Sequence, residues 1–191
     1  ESVSNSAEWY EEHGITLVSG DPVIHIDREA QQVVSRGGRI ESYDKLLIAT
    51  GSDPFVIPVS GKGLPGVVTF RDLDDVETML KAAETSTKAV VIGGGLLGLE
   101  AAHGLSLRGM EVTVLHLMPT LMERQLDEAA GYLLKAELEG RGMTILTGAD
   151  TGEIVEKDSR VGGVKLKDGT EIDAALVVMA VGIRPKGPLG K

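Results

Sequence analysis

A chain of 191 residues, 42% of them hydrophobic, is long enough for one large or two small packed cores. Its formal net charge of -10, from 19 basic and 29 acidic residues, repels phosphate backbones and anionic lipid, so no nucleic acid and no membrane is expected among its partners. With no cysteine and four scattered histidines (His13, His25, His103 and His116), the segment offers no disulfide, iron–sulfur ligation or redox dithiol, and no grouping for a metal site.

In chain order, a helical pattern over 7–13 carries Trp9 and Tyr10 and runs into Gly14-Ile15-Thr16-Leu17-Val18-Ser19-Gly20, an apolar strand between glycines. Three short alternating strands follow at 23–27, 32–35 and 39–42, with Gly37-Gly38 as a turn. Residues 46–49 form another apolar strand, which passes through Thr50 into Gly51. Pro54, Pro58 and Pro65, with glycine and serine between them, mark 52–66 as a connection. A helix is expected over 72–83, its start rich in acids, with Glu77 three residues after Asp74 in the manner of a capping box.

The next strand, Lys88-Ala89-Val90-Val91-Ile92, enters the turn Gly93-Gly94-Gly95-Leu96-Leu97-Gly98, which opens directly into an amphipathic helix. In this fingerprint Gly93 makes the tight turn, Gly95 lets the backbone approach a pyrophosphate and Gly98 lets the helix pack on the strand; a side chain at any of the three is expected to clash. Gly98, Ala101, Ala102 and Leu105 form one sheet-facing stripe, and the helix N-terminus directs N–H groups at the phosphates. A second strand at 111–115 closes the βαβ unit in about 30 residues. Where an acidic residue normally holds the ribose 2′-OH, the chain has His116, and no carboxylate follows until Glu123. His116 is expected to meet the ribose hydroxyls or, when protonated, a 2′-phosphate; the alternative is a solvent-facing strand end.

A helix over 127–141 with Leu133, Leu134 and Leu138 then leads to Gly142-Met143-Thr144-Ile145-Leu146-Thr147-Gly148. Strands follow at 153–157, 160–167 and 170–172, with Asp168-Gly169 as a turn, and an apolar strand runs from Leu176 to Gly182. This order repeats that of the first 51 residues, and 142–148 matches 14–20 almost position for position. Two related nucleotide-binding units are therefore expected. The second is nearly complete, whereas the first begins in its middle, without opening strand, glycine turn or helix, so the chain reads as an excised piece with its domain boundary between 53 and 54.

Three strings in order carry a family resemblance: Tyr43-Asp44-Lys45-Leu46-Leu47-Ile48-Ala49-Thr50-Gly51, then residues 93–100, then Val181-Gly182-Ile183-Arg184-Pro185. Together they resemble the pyridine-nucleotide-dependent flavoprotein reductases with two dinucleotide-binding domains. Within that superfamily, His116-Leu117-Met118-Pro119-Thr120-Leu121-Met122-Glu123-Arg124-Gln125-Leu126-Asp127 is similar to the large subunits of NAD(P)H-dependent nitrite reductases, with parts shared by rubredoxin reductases, ferredoxin reductases and NADH oxidases.

The resemblance implies a Rossmann-like NAD(P)H-binding domain with a β-meander insertion over 54–191, preceded by the C-terminal part of a flavin-binding domain over 1–53. It implies hydride passage from NAD(P)H to FAD, with FAD in the full-length protein and absent from this chain. Carried over, Gly93, Gly95 and Gly98 hold the pyrophosphate, Glu100 approaches the nicotinamide end, His116 the ribose, Gly182 lines the nicotinamide pocket, and Thr50 and Gly51 line the seam between domains. On residues alone, Glu100 reads as a solvated first-turn carboxylate and Thr50-Gly51 as a strand end with a turn glycine. A dinucleotide-binding module without redox chemistry is the alternative function. The expected partners are a dinucleotide and the flavin-binding and acceptor domains of the parent; failing those, the first 51 residues are expected to be mobile or covered in a homodimer. With no apolar run of roughly 18 residues and no signal-peptide order, the cytoplasm is the expected location.

Overall fold

A computed structural model describes residues 5–186, and the chain divides into two units, one running through Ser52 and resuming at Pro185, the other Asp53–Arg184. In the first unit, Ser6 caps the helix α1 (Ala7–Glu12) by accepting the Trp9 N–H. Three antiparallel strands follow, β1 (Val23–Asp27), β2 (Gln32–Ser35) and β3 (Ile40–Ser42), in the order 1-2-3. The three expected strands are thus present and pair as a meander. Asp21 pins its turn: the carboxylate accepts from Ser35 Oγ at 2.6 Å and from the Gly37 N–H at 2.7 Å.

The Ser35 hydroxyl, and next the Gly37 amide, hold the Asp21 carboxyl below its ordinary 3.8. A carboxyl depressed in the folded state contributes stability that is present above its ordinary value and lost as pH falls through the folded one. The protection of the Gly37 amide, its exchange rate relative to the intrinsic rate at the same pH, is therefore expected to fall as acid is taken below 3.8, and Asp21→Asn should remove that dependence. Protection that falls equally steeply with pH in the variant would refute the assignment.

Two expected strands of this unit do not form. Residues 15–19 and 46–49 are irregular, although their repeat counterparts at 144–147 and 176–179 are regular strands. The counterparts lie in a parallel sheet, whereas no strand among the described residues pairs with 15–19 or 46–49, and an apolar segment without a ladder has no backbone partners to keep it extended. Their side chains are accordingly exposed, Leu47 at 88% and Ile48 at 62%.

The second unit begins within β4 (Ser52–Pro54), continues through β5 (Val67–Thr69), and reaches α2 (Leu73–Thr85). Asp72, not Asp74, caps α2, accepting from the Asp75 N–H at 2.9 Å, while Asp75 reaches back to the Arg71 N–H. Next come β6 (Lys88–Ile92), α3 (Leu96–Leu107), β7 (Glu111–His116), α4 (Glu128–Gly140) and β8 (Thr144–Thr147). The unit continues through β9 (Thr151–Lys157), β10 (Arg160–Leu166), β11 (Glu171–Asp173) and β12 (Leu176–Met179) and ends within β13 (Ile183–Pro185), which pairs with β4.

Five of these strands make an all-parallel sheet in the order β5-β12-β6-β7-β8. Such a sheet must be covered on both faces, which is why β6 and β12 read as unbroken apolar runs. On one face Ala89, Val91, Val112, Val114, Leu176 and Val178 meet Met79 of α2, the Ala101-Ala102-Leu105 stripe of α3 and Leu138 of α4. On the other, Val90, Ile92, Leu115, Val177 and Met179 meet Ile154, Val161, Val164 and Leu166 of the antiparallel β9-β10-β11 meander. The insertion is thus the second cover of the sheet. Val56, Ile57, Val59 and Leu64 join that cover, so residues expected as a connection are a packed layer of the second unit. On α4, Leu138 is buried but Leu133 is 68% exposed, since it stands on the helix face away from the sheet.

Candidate functional site

Strand order places the site before any side chain is considered. From β6 the chain crosses through α3 to β7 on one side, while β12 flanks β6 on the other. The strand order thus reverses between β6 and β12, and in open α/β sheets ligands bind beyond the carboxyl ends of the strands at such a reversal. The loop after β6 is Gly93-Gly94-Gly95, and the loop after β12 leads through Ala180 and Val181 to Gly182. Both stay tied to the sheet: the Gly93 N–H donates to the Leu115 carbonyl and the Ala180 N–H to the Ile92 carbonyl, each at 2.8 Å.

The three fingerprint glycines differ in what surrounds them. Gly93 has a φ of +122°, and a Cβ there would strike the Ala180 carbonyl. A Cβ on Gly98 would strike the Gly93 carbonyl, so helix and turn touch backbone to backbone. Gly95 has an ordinary φ of -85°, and a Cβ on it would meet no atom within 4 Å. Within the protein, therefore, a side chain would clash at Gly93 and Gly98 but not at Gly95, where the expected clash is with the pyrophosphate itself. In front of it lies open space at the N-terminus of α3, where no side chain caps the helix. Uncapped N–H groups and the positive end of a helix dipole suit an anion there, and the open cradle fits a pyrophosphate.

His116, the last residue of β7, is only 8% exposed, which corrects the solvent-facing alternative. Its Nδ1 accepts from the Gly94 N–H at 3.1 Å. Because a backbone amide can only donate, the neutral ring carries its proton on Nε2, and that N–H donates to Glu123 Oε2 at 3.1 Å. Leu121, fully buried, packs on the same turn, and the Met122 N–H donates to the Gly94 carbonyl at 3.1 Å. Gly94 thus has both its polar groups bound, by His116 and by the segment that follows β7.

Glu100 is exposed in the first turns of α3. Gly182 has a φ of +112° with open space beside it, and its carbonyl accepts from the Phe55 N–H. The structure therefore brings Gly93, Gly95, Gly98, His116 and Gly182 to one end of the sheet. Thr50 and Gly51 belong to the other unit, where the Thr50 hydroxyl donates to the Lys186 carbonyl at 2.5 Å and Gly51 has a φ of +73°. Leu121, Met122 and Glu123 were not among the residues expected to form the site. The available signal was that Glu123 is the first carboxylate after the strand tip. Among the described residues no group of three or more histidine, aspartate or glutamate side chains could hold a metal ion.

The family model for pyridine nucleotide-disulphide oxidoreductases matches residues 2–190. The chain is 55% identical over 186 residues to the NAD(P)H nitrite reductase of Bacillus subtilis (strain 168), covering 97% of the chain and 23% of that protein. It is 37% identical to the rhodocoxin reductase of Rhodococcus erythropolis, covering 94% of the chain and 42% of that protein. Among solved structures, a ferredoxin reductase from Rhodopseudomonas palustris superposes with a TM-score of 0.89 at 31% identity, over 96% of this chain and 45% of that one. The chain thus spans less than half the length of each of these proteins.

Proposed function

The chain belongs to the pyridine nucleotide-disulphide oxidoreductase family, and from that premise we propose that it is the NAD(P)H-binding segment of a flavoprotein reductase that passes hydride from NAD(P)H to FAD. The observation that carries this reading is the open space at Gly95 beside the uncapped N-terminus of α3, set at the reversal of strand order. There the turn between Gly93 and Gly98 would hold the pyrophosphate through backbone N–H groups. Bound NAD(P)H supplies the hydride; the chain supplies position. Glu100 and Gly182 would flank the nicotinamide half, and His116, through the turn it holds, the adenosine half.

We assign residues 54–191 to the NAD(P)H-binding domain and 1–53 to the rear of a related flavin-binding domain, lined at its seam by Thr50 and Gly51. The exposed Leu46, Leu47 and Ile48 support the second assignment, because an apolar strand sequence without ladder partners is what half of a parallel sheet leaves behind. The 55% identity to a nitrite reductase supports nitrite as the parent's acceptor and a role in nitrate assimilation. The similarity to rhodocoxin and ferredoxin reductases supports a second reading, in which the acceptor is a small electron-carrier protein. No helix of the described residues is long and apolar enough to cross a membrane, and we place the protein in the cytoplasm.

Calorimetric titration of the 191-residue chain with NADH, alongside its visible absorbance spectrum, tests the division of cofactors. One NADH site and no flavin spectrum are expected. A stoichiometric flavin, or no binding of NADH or NADPH, would overturn it.

A further inference from the structure

We propose that Glu123 is the residue by which this site distinguishes NADH from NADPH, with His116 as the positioning residue that holds it; the inference rests on the dinucleotide reading above.

Three hydrogen bonds form a closed loop around Gly94. Its N–H donates to His116 Nδ1, the His116 Nε2–H donates to Glu123 Oε2, and the Met122 N–H returns to the Gly94 carbonyl, each at 3.1 Å. Met122 has a left-handed φ of 55°, uncommon for a residue other than glycine, and its carbonyl accepts from the Gln125 and Leu126 N–H groups at 2.8 and 2.9 Å. Leu121 wedges its buried side chain against Gly94 from the adjoining position. Glu123 is therefore tied twice to the glycine turn, through its neighbour's backbone and through its own carboxylate.

In a βαβ dinucleotide unit, a carboxylate roughly 20 residues beyond the glycines accepts the ribose 2′-OH. Here His116 stands at that position, and both of its ring nitrogens are engaged. The carboxylate function is displaced by one imidazole, onto Glu123. His116 engages Oε2 of Glu123, and the glutamate side chain remains 31% exposed, so the carboxylate keeps acceptor capacity toward solvent. An ionised carboxylate accepts a hydrogen bond from a ribose hydroxyl and repels a 2′-phosphate. Arg124, the neighbouring cation in the sequence, has no hydrogen bond to Gly94 or to His116 among the described residues, so nothing comparable fixes it at the turn.

Titration calorimetry of the 191-residue chain with NADH and with NADPH reads the ratio of their dissociation constants. The parent chain is expected to bind NADH tighter by roughly tenfold or more, and Glu123→Gln, which keeps an acceptor for His116 and removes the charge, should bring the ratio within about threefold of unity. His116→Phe, which keeps ring volume beside Gly94 but cuts both hydrogen bonds, should lower the ratio in the same direction. A parent ratio near one, a Glu123→Gln ratio equal to the parent's, or a His116→Phe chain that loses both affinities in equal proportion overturns the proposal and leaves the dinucleotide reading standing. Failure of the parent chain to bind either dinucleotide overturns that reading, and the proposal with it.

Discussion

Replacing Gly95 by valine is expected to abolish dinucleotide binding while the chain stays folded. A Cβ at this position meets no protein atom within 4 Å and the backbone φ of -85° suits any residue, so the fold has no steric objection. Gly95 is the N-cap of α3, where valine is less favourable than glycine by up to about 1 kcal/mol, and a domain of this size loses roughly 2–4 °C in melting temperature for each kcal/mol. The space the valine fills is the space in which a pyrophosphate would lie. Loss of the close backbone approach should cost about 100-fold or more in NADH affinity, or about 2.7 kcal/mol. Calorimetry with NADH and a thermal melt of the same variant check both halves. Retained affinity would show that this loop does not carry the phosphates.

Gly98→Val is expected to do the opposite, damaging the fold first. Three residues along the chain, the added Cβ would run into the Gly93 carbonyl, a backbone atom of a turn that is itself pressed against Ala180. Neither side can yield cheaply, because Gly93 is bonded to Leu115 across the sheet and α3 is seated by Ala101, Ala102 and Leu105. Overpacking of this kind costs about 3 kcal/mol, which lowers the melting temperature by roughly 6–12 °C. A scan within about 2 °C of the parent would show that α3 can lift from the turn at little cost.

Gly95 and Gly98 separate what residue type fixes locally from what long-range packing fixes. The spacing of Gly93, Gly95 and Gly98 between an apolar strand and an apolar-striped helix is legible because the turn, the helix start and the stripe are local consequences of residue type. That Gly95 faces open space while Gly98 faces a carbonyl is not local; it depends on how α3 lies on β6 and β12. His116 shows the same limit. Its place at the tip of β7 was readable, but its burial and its two partners depend on Leu121, Met122 and Glu123 folding back over Gly94.

Apolar period, turn residues and motif spacing encode the alternation of strands and helices, the glycine fingerprint, the meander repeated in both halves and the family to which these belong. Which of the apolar runs become strands depends instead on pairing between distant segments. Residues 176–179 do, between β5 and β6, and 46–49 do not, although both are aliphatic runs. Long-range packing likewise decides that 56–64 covers a sheet face and that a glutamate seven residues beyond the strand tip is tied to the glycine turn. Both follow from one requirement: buried backbone amides and apolar faces must find partners, and those partners lie far away in the chain.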